Sequence, residues 1–395
     1  LCSANLPDPT IKLPNKHFDT LLWSGNSSTQ AITGLSFSPD WVWSKRRSAS
    51  SSHYLNDTVR GAHKIVFSEQ SAAEYDGTSN NDGVDSFDSN GFTLQNGTYV
   101  ADYNASGSTY VGWNWNAGDT DGKTYTVKVV SDSGNKYRFD DFGTSAVTLD
   151  LAEGGTYIFD QSDSSNAGHP LRFSTTADGT HGGGSEYTTG VTVTGTAGSS
   201  GAKTTIVVAA SAPNLAYYCT NHSGMGGSVN TNSTLGSSNF DGSVQSIVKA
   251  NPTAGMSITR YTGTGSALTV GHGLGVAPDV LIVKNREEAS SWRVFHHKNT
   301  SAPETEYLAL DTNNATFDRN DWNDTLPTST VFSVGQQGAV NNNNIDYIGY
   351  IFSEVAGYSK FGSYTGNGNA DGTFIFTGFR PAWVLIKNSG ASGFD

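Results

Sequence analysis

One short phrase occurs three times in the chain: Pro39-Asp-Trp-Val-Trp-Ser-Lys45, Pro278-Asp-Val-Leu-Ile-Val-Lys284 and Pro381-Ala-Trp-Val-Leu-Ile-Lys387. Each copy is preceded by an aromatic residue and a glycine two positions on: Trp23-Ser-Gly25, Tyr261-Thr-Gly263 and Tyr364-Thr-Gly366. An internal repeat constrains the architecture before any residue is given a role. The spacing is unequal. The second and third prolines lie 103 positions apart (278 to 381), but the first and second lie 239 apart (39 to 278). The excess of 136 residues is room for a whole further domain between the first two copies.

A second anchor supports the repeat. Tyr110-Val-Gly-Trp-Asn-Trp115 matches Tyr347-Ile-Gly-Tyr-Ile-Phe352, and these segments start 71 and 69 residues after their prolines. In the first, Tyr110, Gly112 and Asn114 alternate with Val111, Trp113 and Trp115, as a half-buried strand requires. A repeat of about 100 residues is the length of one β-sandwich.

With 395 residues the chain is long enough for two to four domains. Short Val/Ile/Tyr/Trp/Phe runs are bounded by Gly, Asn, Asp and Ser clusters, which reads as all-β with tight turns. The 46 glycines do not argue for disorder, because 8 Trp, 17 Tyr and 19 Phe supply ample apolar surface to bury. The expected organisation is an extended arm or linker at 1–16 and a first repeat at 17–117. A different domain follows at 118–232, a Ser/Asn/Gly-rich linker at 233–254, a second repeat at 255–357 and the start of a third at 358–395. The chain starts at Leu1 and stops inside the third copy, so it is expected to be part of a longer protein.

The formal charge of −13 argues against nucleic acid and anionic membrane as partners, since phosphate binding needs clustered Lys and Arg. The one basic cluster, Lys45-Arg46-Arg47, is too short to change that. No run of 18 apolar residues occurs, so membrane insertion is not expected. Two cysteines, Cys2 and Cys219, make no disulfide framework, and a bridge between them is not expected.

The inserted stretch contains Cys219-Thr-Asn-His222-Ser-Gly-Met225, with His169 fifty residues upstream in Ala167-Gly-His-Pro170. One thiolate, two imidazoles and one thioether form the ligand set of a type 1 copper site. A Cys at the end of a strand, with His and Met on the tight loop that follows, converges on one point, and a His from a neighbouring strand closes the plane. Gly224, Gly226 and Gly227 permit the turn. The other reading is a scaffold in which Cys219 and Met225 are core residues and the histidines are satisfied polar groups. A Cys-His-His-Met set leaves no open position, so hydrolysis there is not expected.

Other candidates are weaker. His181, in Gly179-Thr-His-Gly-Gly-Gly184, reads as a solvent-facing loop histidine. Asp119-Thr-Asp-Gly122 reads as a turn, because it lacks the remaining calcium ligands. His296 and His297 are adjacent in a strand-like run and are expected on opposite faces. Glu287-Glu288 reads as a turn. No phosphate loop, dinucleotide fingerprint or Gly-x-Ser-x-Gly occurs between a strand and a helix, nor a tight Glu-x-Asp-x-x-Glu cluster, so no enzymatic activity is expected.

Two resemblances add to this. The strand Thr156-Tyr-Ile-Phe159, the His169-Pro170 pair and Tyr217-Tyr-Cys-x-x-His-x-x-Met-x-Gly227 resemble the cupredoxin family over the whole insert, with the short loop spacing of amicyanins. The resemblance implies a Greek-key β-barrel, with His169, Cys219 and His222 as equatorial copper ligands and Met225 as the weak axial one. The repeats resemble virion proteins of tailed phages, especially those of marine cyanobacteria. Tyr261-Thr-Gly-x-Gly265, Tyr364-Thr-Gly-x-Gly368, Ser86-Phe-Asp-Ser-Asn-Gly-Phe92, Tyr110-Val-Gly-Trp113, Leu1-Cys-Ser-Ala-Asn-Leu-Pro-Asp-Pro9 and Glu354-Val-Ala-Gly-Tyr-Ser-Lys-Phe-Gly362 carry that resemblance. It implies tandem jelly-roll, concanavalin-like (lectin-like) β-sandwiches in a tail fibre, spike or surface decoration of an extracellular virion. The implied partners are host cell-surface glycan or receptor and other virion proteins, and a homo-oligomer, for a fibre a trimer. Trp41, Trp43, Trp113, Trp115 and Trp383 are read first as core strand positions and only second as sugar-stacking surfaces. The expected function is therefore structural and adhesive. The alternative is a copper redox or sensing protein.

Overall fold

The computed structural model describes residues 9–95, 97, 101–118, 122–231 and 235–390. Cys2, residues 1–8 of the segment from Leu1 to Pro9, and Asp119 to Asp121 of the expected turn lie outside these residues. The fold is all-β. Among the described residues the one α-helix is the single turn Gly338–Asn341, and no helix is long and apolar enough to cross a membrane. The chain divides into two compact units, one of residues 1–118 with 250–395 and one of residues 119–249.

The first unit holds both repeats, and they are built alike. In the first copy a sheet runs in the order Phe18–Ser24, Thr109–Trp115, Trp41–Arg46, His53–Asp57. In the second the order is Met256–Thr262, Asp346–Phe352, Val280–Asn285, Arg293–His296. A second layer is formed by Gln30–Thr33, Gly91–Leu94 and Val84–Asp88 in the first copy and by Leu268–Gly271 with Val331–Val334 in the second. Between the first copy's layers lies a core that includes Trp23, Ile32, Val42, Phe92 and Tyr110.

The repeated sequence features become repeated contacts. Trp23 stacks on Tyr110 (5.3 Å between centroids, 11°), and Tyr261 stacks on Tyr347 (5.2 Å, 15°). The following glycines donate N–H bonds of 2.8 Å to Ser108 and Ile345. A Cβ at Gly25 would lie 2.3 Å from the Ala105 carbonyl oxygen, and one at Gly263 would lie 2.3 Å from that of Asn342, so neither position tolerates a side chain. The lysine of the phrase closes the hairpin after its strand. Lys45 Nζ donates to the Ser51 carbonyl, and Lys284 Nζ donates to the Ser290 carbonyl at 2.7 Å. Burial pushes the Lys284 amine down to about 8, although Asp311 opposes the shift.

The repeats differ where they meet. In the first copy's closing strand, buried and half-buried residues alternate from Thr109 to Asn114. In the second, Tyr347 to Ile351 are all buried, because the outer face is covered by the first copy. Trp41 stacks on Tyr350, and Trp292 Nε1 donates to the Phe67 carbonyl at 2.9 Å. Arg60, without exposed side-chain surface, pairs with Asp57 and with Glu74 at 3.0 Å, and Glu74 also binds Arg286 at 2.8 Å.

The third copy is not folded like the first two. Pro381 to Lys387 lies in no strand, and Val384, Leu385 and Ile386 are exposed. Trp383 rests against Trp43 and Trp115, at 6.0 and 5.5 Å between ring centroids.

The second unit has two five-stranded sheets. One runs Asn135–Phe139, Gly122–Ser131, Thr156–Asp160, Lys203–Val207, Val191–Thr194, and the other runs Leu149–Leu151, Gly227–Thr231, Leu215–Cys219, Leu171–Ser174, Glu186–Tyr187. Each sheet contains one parallel pair, Gly122–Ser131 with Thr156–Asp160 and Leu149–Leu151 with Gly227–Thr231. Their facing sides bury Tyr125, Phe139, Tyr157, Phe159, Phe173 and Tyr217 in one cluster that also holds Cys219 and Met225. The linker expected at 233–254 is instead partly strand. Ser237–Asn239 pairs with Ser246–Asn251, and Ser238 is fully buried. Its hydroxyl accepts the Asp150 N–H, and its carbonyl accepts the Tyr125 hydroxyl. Polar side chains here replace the apolar ones that usually mark a strand, which is why composition reads as linker.

Candidate metal centre

The strand Leu215–Cys219 is buried at all five positions and ends on Cys219. It pairs antiparallel with Leu171–Ser174, Leu171 opposite Cys219. That register sets His169, two residues before Leu171, beside the end of the cysteine strand. The loop from Thr220 then turns back into Gly227–Thr231. A Cβ at Gly226 would lie 1.7 Å from the Tyr217 carbonyl oxygen, so the turn requires glycine there.

The structure brings His169, Cys219 and His222 together. Cys219 Sγ lies 3.8 Å from His169 Nδ1 and 3.7 Å from His222 Nδ1, and the two rings are 4.5 Å apart between centroids. Their three ligand atoms all fall within 4.8 Å of one another, the single such His/Cys/Asp/Glu grouping among the described residues. Met225 is buried in the same core as Cys219. Its carbonyl accepts the Tyr137 N–H at 3.0 Å, which fixes the far end of the loop.

The surroundings hold these residues from outside. The His169 carbonyl accepts both Tyr137 Oη (2.8 Å) and Gln161 Nε2 (2.9 Å). Asn221 Nδ2 donates to the Gly168 carbonyl at 2.9 Å, tying the loops of His169 and His222 together. Cys219 is fully buried, His169 is half-buried and His222 is exposed, so one edge of the cluster reaches solvent. Burial, and then the neighbouring His222, lower the pKa of His169, which favours the neutral imidazole that a metal needs. Burial and the adjacent Cys219 sulfur raise the Tyr137 phenol well above its ordinary value.

The donor set fits a metal ion. With a metal–sulfur distance of about 2.3 Å and a metal–nitrogen distance of about 2.0–2.1 Å, trigonal ligands sit about 3.8 Å apart. The two Sγ–Nδ1 separations, 3.8 and 3.7 Å, match that spacing. A thiolate with two imidazoles and a buried thioether nearby is a soft set suited to copper.

The other candidates do not assemble a site. His297 Nδ1 is 2.7 Å from Asp279, and its Nε2 donates to the Phe361 carbonyl, so it closes a turn instead of joining His296 in a metal site. Glu288 accepts from Asn285 and Asn342. Trp41, Trp43 and Trp115 are buried and Trp113 and Trp383 half-buried, so the first three are core. His181 is exposed, as its loop sequence indicates, but it makes a contact that sequence reasoning missed. Its Nε2 donates to the Cys219 carbonyl at 3.0 Å. Its glycine-rich loop gave no periodic signal that could have revealed this contact.

Residues 13–151 and 220–394 match a family model described as "Domain of unknown function (DUF7483)". The chain belongs to that family. The match spans both repeats and resumes one residue after Cys219, so His169 and Cys219 lie in the unmatched stretch between its two parts. No curated protein and no solved structure matches the chain.

Proposed function

We propose that the inserted unit is a cupredoxin-like module that binds one copper ion through His169, Cys219 and His222, with Met225 as the weak fourth ligand. The observation that carries this reading is the convergence of three donor atoms, from two adjacent strand ends, at the spacing of a trigonal site. Bound copper supplies one-electron redox chemistry. The chain's own residues fix the ligand positions, exclude water from Cys219 and leave the His222 edge open to a partner. The test is Cu(II) titration of the full chain. An intense visible band from a copper–thiolate bond is expected, and a colourless protein would overturn the reading.

For the repeats we propose a structural, non-enzymatic and adhesive role. They would be jelly-roll, lectin-like modules of a phage virion appendage, a fibre of trimeric type, that contacts host glycan or receptor. One observation favours this. Both copies keep the same hydrogen-bonded frame and sink its aromatics into the core, which leaves recognition to the loops. Glycan-array and host-cell binding by the full chain tests it, and absence of binding would leave a purely structural role.

A further inference from the structure

The strands Leu171–Ser174 and Glu186–Tyr187 form an antiparallel pair, Ser174 opposite Glu186. A hairpin of this kind closes with about two to five residues. Here residues 175–185 intervene, and Gly179 and His181 among them contact Tyr218 and Cys219 at the end of the cysteine strand.

We propose that the loop from Thr176 to Gly184 is a strap that positions the thiolate ligand, with His181 as its positioning residue. The inference rests on the metal-binding reading above. Three contacts define the strap. Gly179, at φ +55°, lies against the Tyr218 ring so closely that a Cβ would come within 2.4 Å of it. His181 Nε2–H donates to the carbonyl of Cys219 at 3.0 Å. Asp178 Oδ1 accepts the Gly224 N–H at 2.8 Å. Asp178 itself sits at φ +57°, and the Gly184 N–H closes the loop on the Gly179 carbonyl at 2.9 Å.

These contacts bracket the ligand loop. One grips the backbone of Cys219, and the other grips Gly224, the residue before Met225. His222 lies between them. The strap also continues directly from the strand that follows His169, so it links the two chain segments that supply the ligands. Outer-shell hydrogen bonds of this kind fix ligand orientation, and their loss lowers metal affinity by roughly 10- to 100-fold. His181 and Asp178 touch the ligand loop and not the core between the sheets, so their loss affects the site more than the fold.

The experiment uses the full chain, with Cu(II) affinity measured by chelator competition and the thiolate-to-metal band recorded for each variant. His181→Ala is expected to bind copper about 10-fold or more weakly and to shift the band. The melting temperature of the metal-free protein should barely change. His181→Gln keeps an N–H at the corresponding position and should recover most of the affinity. Asp178→Ala should repeat the loss independently, whereas Asp178→Asn should not, because its oxygen still accepts from Gly224. Parent-like affinity and an unshifted band in both alanine variants would overturn the strap. Failure of the parent chain to take up copper would instead overturn the metal-binding reading, and the strap with it.

Discussion

Trp41 of the first repeat lies flat on Tyr350 of the second, with ring centroids 4.2 Å apart and planes 15° from parallel. The same tyrosine donates its hydroxyl to Asp57 at 2.8 Å and accepts from Arg60 Nη2 at 3.1 Å. One side chain of the second copy therefore completes both an aromatic stack and a buried ion pair of the first. This explains why the two copies form one compact unit although they lie far apart in sequence.

Removing only the hydroxyl separates the two roles. Tyr350→Phe keeps the stack but leaves Asp57 and Arg60 short of a partner, at a cost of about 1–3 kcal/mol. Trp41→Ala opens the stack itself and should cost about 3–5 kcal/mol. Urea denaturation followed by tryptophan fluorescence reads both. A Tyr350→Phe variant as stable as the parent would show that the buried pair does not depend on this contact.

Two asparagines hold equivalent loops. Asn104 Oδ1 accepts from the Asn26 N–H, and its Nδ2 donates to the Ser28 carbonyl at 2.7 Å. Asn341 Oδ1 accepts from the Thr264 N–H at 2.8 Å, and its Nδ2 donates to the Ser266 carbonyl. Both are buried. Asn104→Ala and Asn341→Ala should each lower stability by about 1–3 kcal/mol, because buried backbone groups lose their partners. Measured losses near zero at both positions would mean that water replaces the amide.

The repeat was legible because its marks are backbone requirements. Gly25 and Gly263 are fixed by a carbonyl that leaves no space for a side chain, and Lys45 and Lys284 by the hairpin they close. The convergence of His169, Cys219 and His222 was legible because their residue types and spacing suit a metal site, and the structure brings these three together. Asn104 and Asn341 were not, since their neighbours differ (Tyr103 and Ala105 against Val340 and Asn342) and a lone asparagine resembles any turn residue. The Ser237–Asn239 strand was hidden for a related reason. Its buried positions are polar and satisfied by hydrogen bonds, so no apolar pattern marks them. The third phrase has the sequence of the others but no strand beside it among the described residues, and no local pattern could reveal that.

Glu74 should make the first unit acid-sensitive. Burial opposes ionisation, but the hydrogen bond from Arg286 and the charge of Arg60 prevail and lower its pKa below the ordinary 4.5. A carboxylate depressed in the folded state stabilises the fold above the unfolded pKa, and that stability is lost as pH falls through the lower, folded value. Denaturation midpoints should therefore fall as pH drops below about 4.5. Glu74→Gln should be less stable at neutral pH and should have a flatter profile in acid. Parallel profiles for the two proteins would contradict this assignment.

His222 is the exposed member of the proposed copper set and Cys219 the buried one, so their replacements should differ. His222→Ala opens the site at the surface and should leave the metal-free fold intact while weakening copper binding. External imidazole should restore part of the binding, read by the visible band. No recovery at any imidazole concentration would argue that His222 does not contribute a ligand.

The most direct measurement is the visible spectrum of the full chain and of Cys219→Ser after addition of one equivalent of Cu(II). A copper site at Cys219 predicts an intense thiolate-to-copper band in the parent and none in Cys219→Ser. A colourless parent, or a Cys219→Ser spectrum identical to that of the parent, would contradict it.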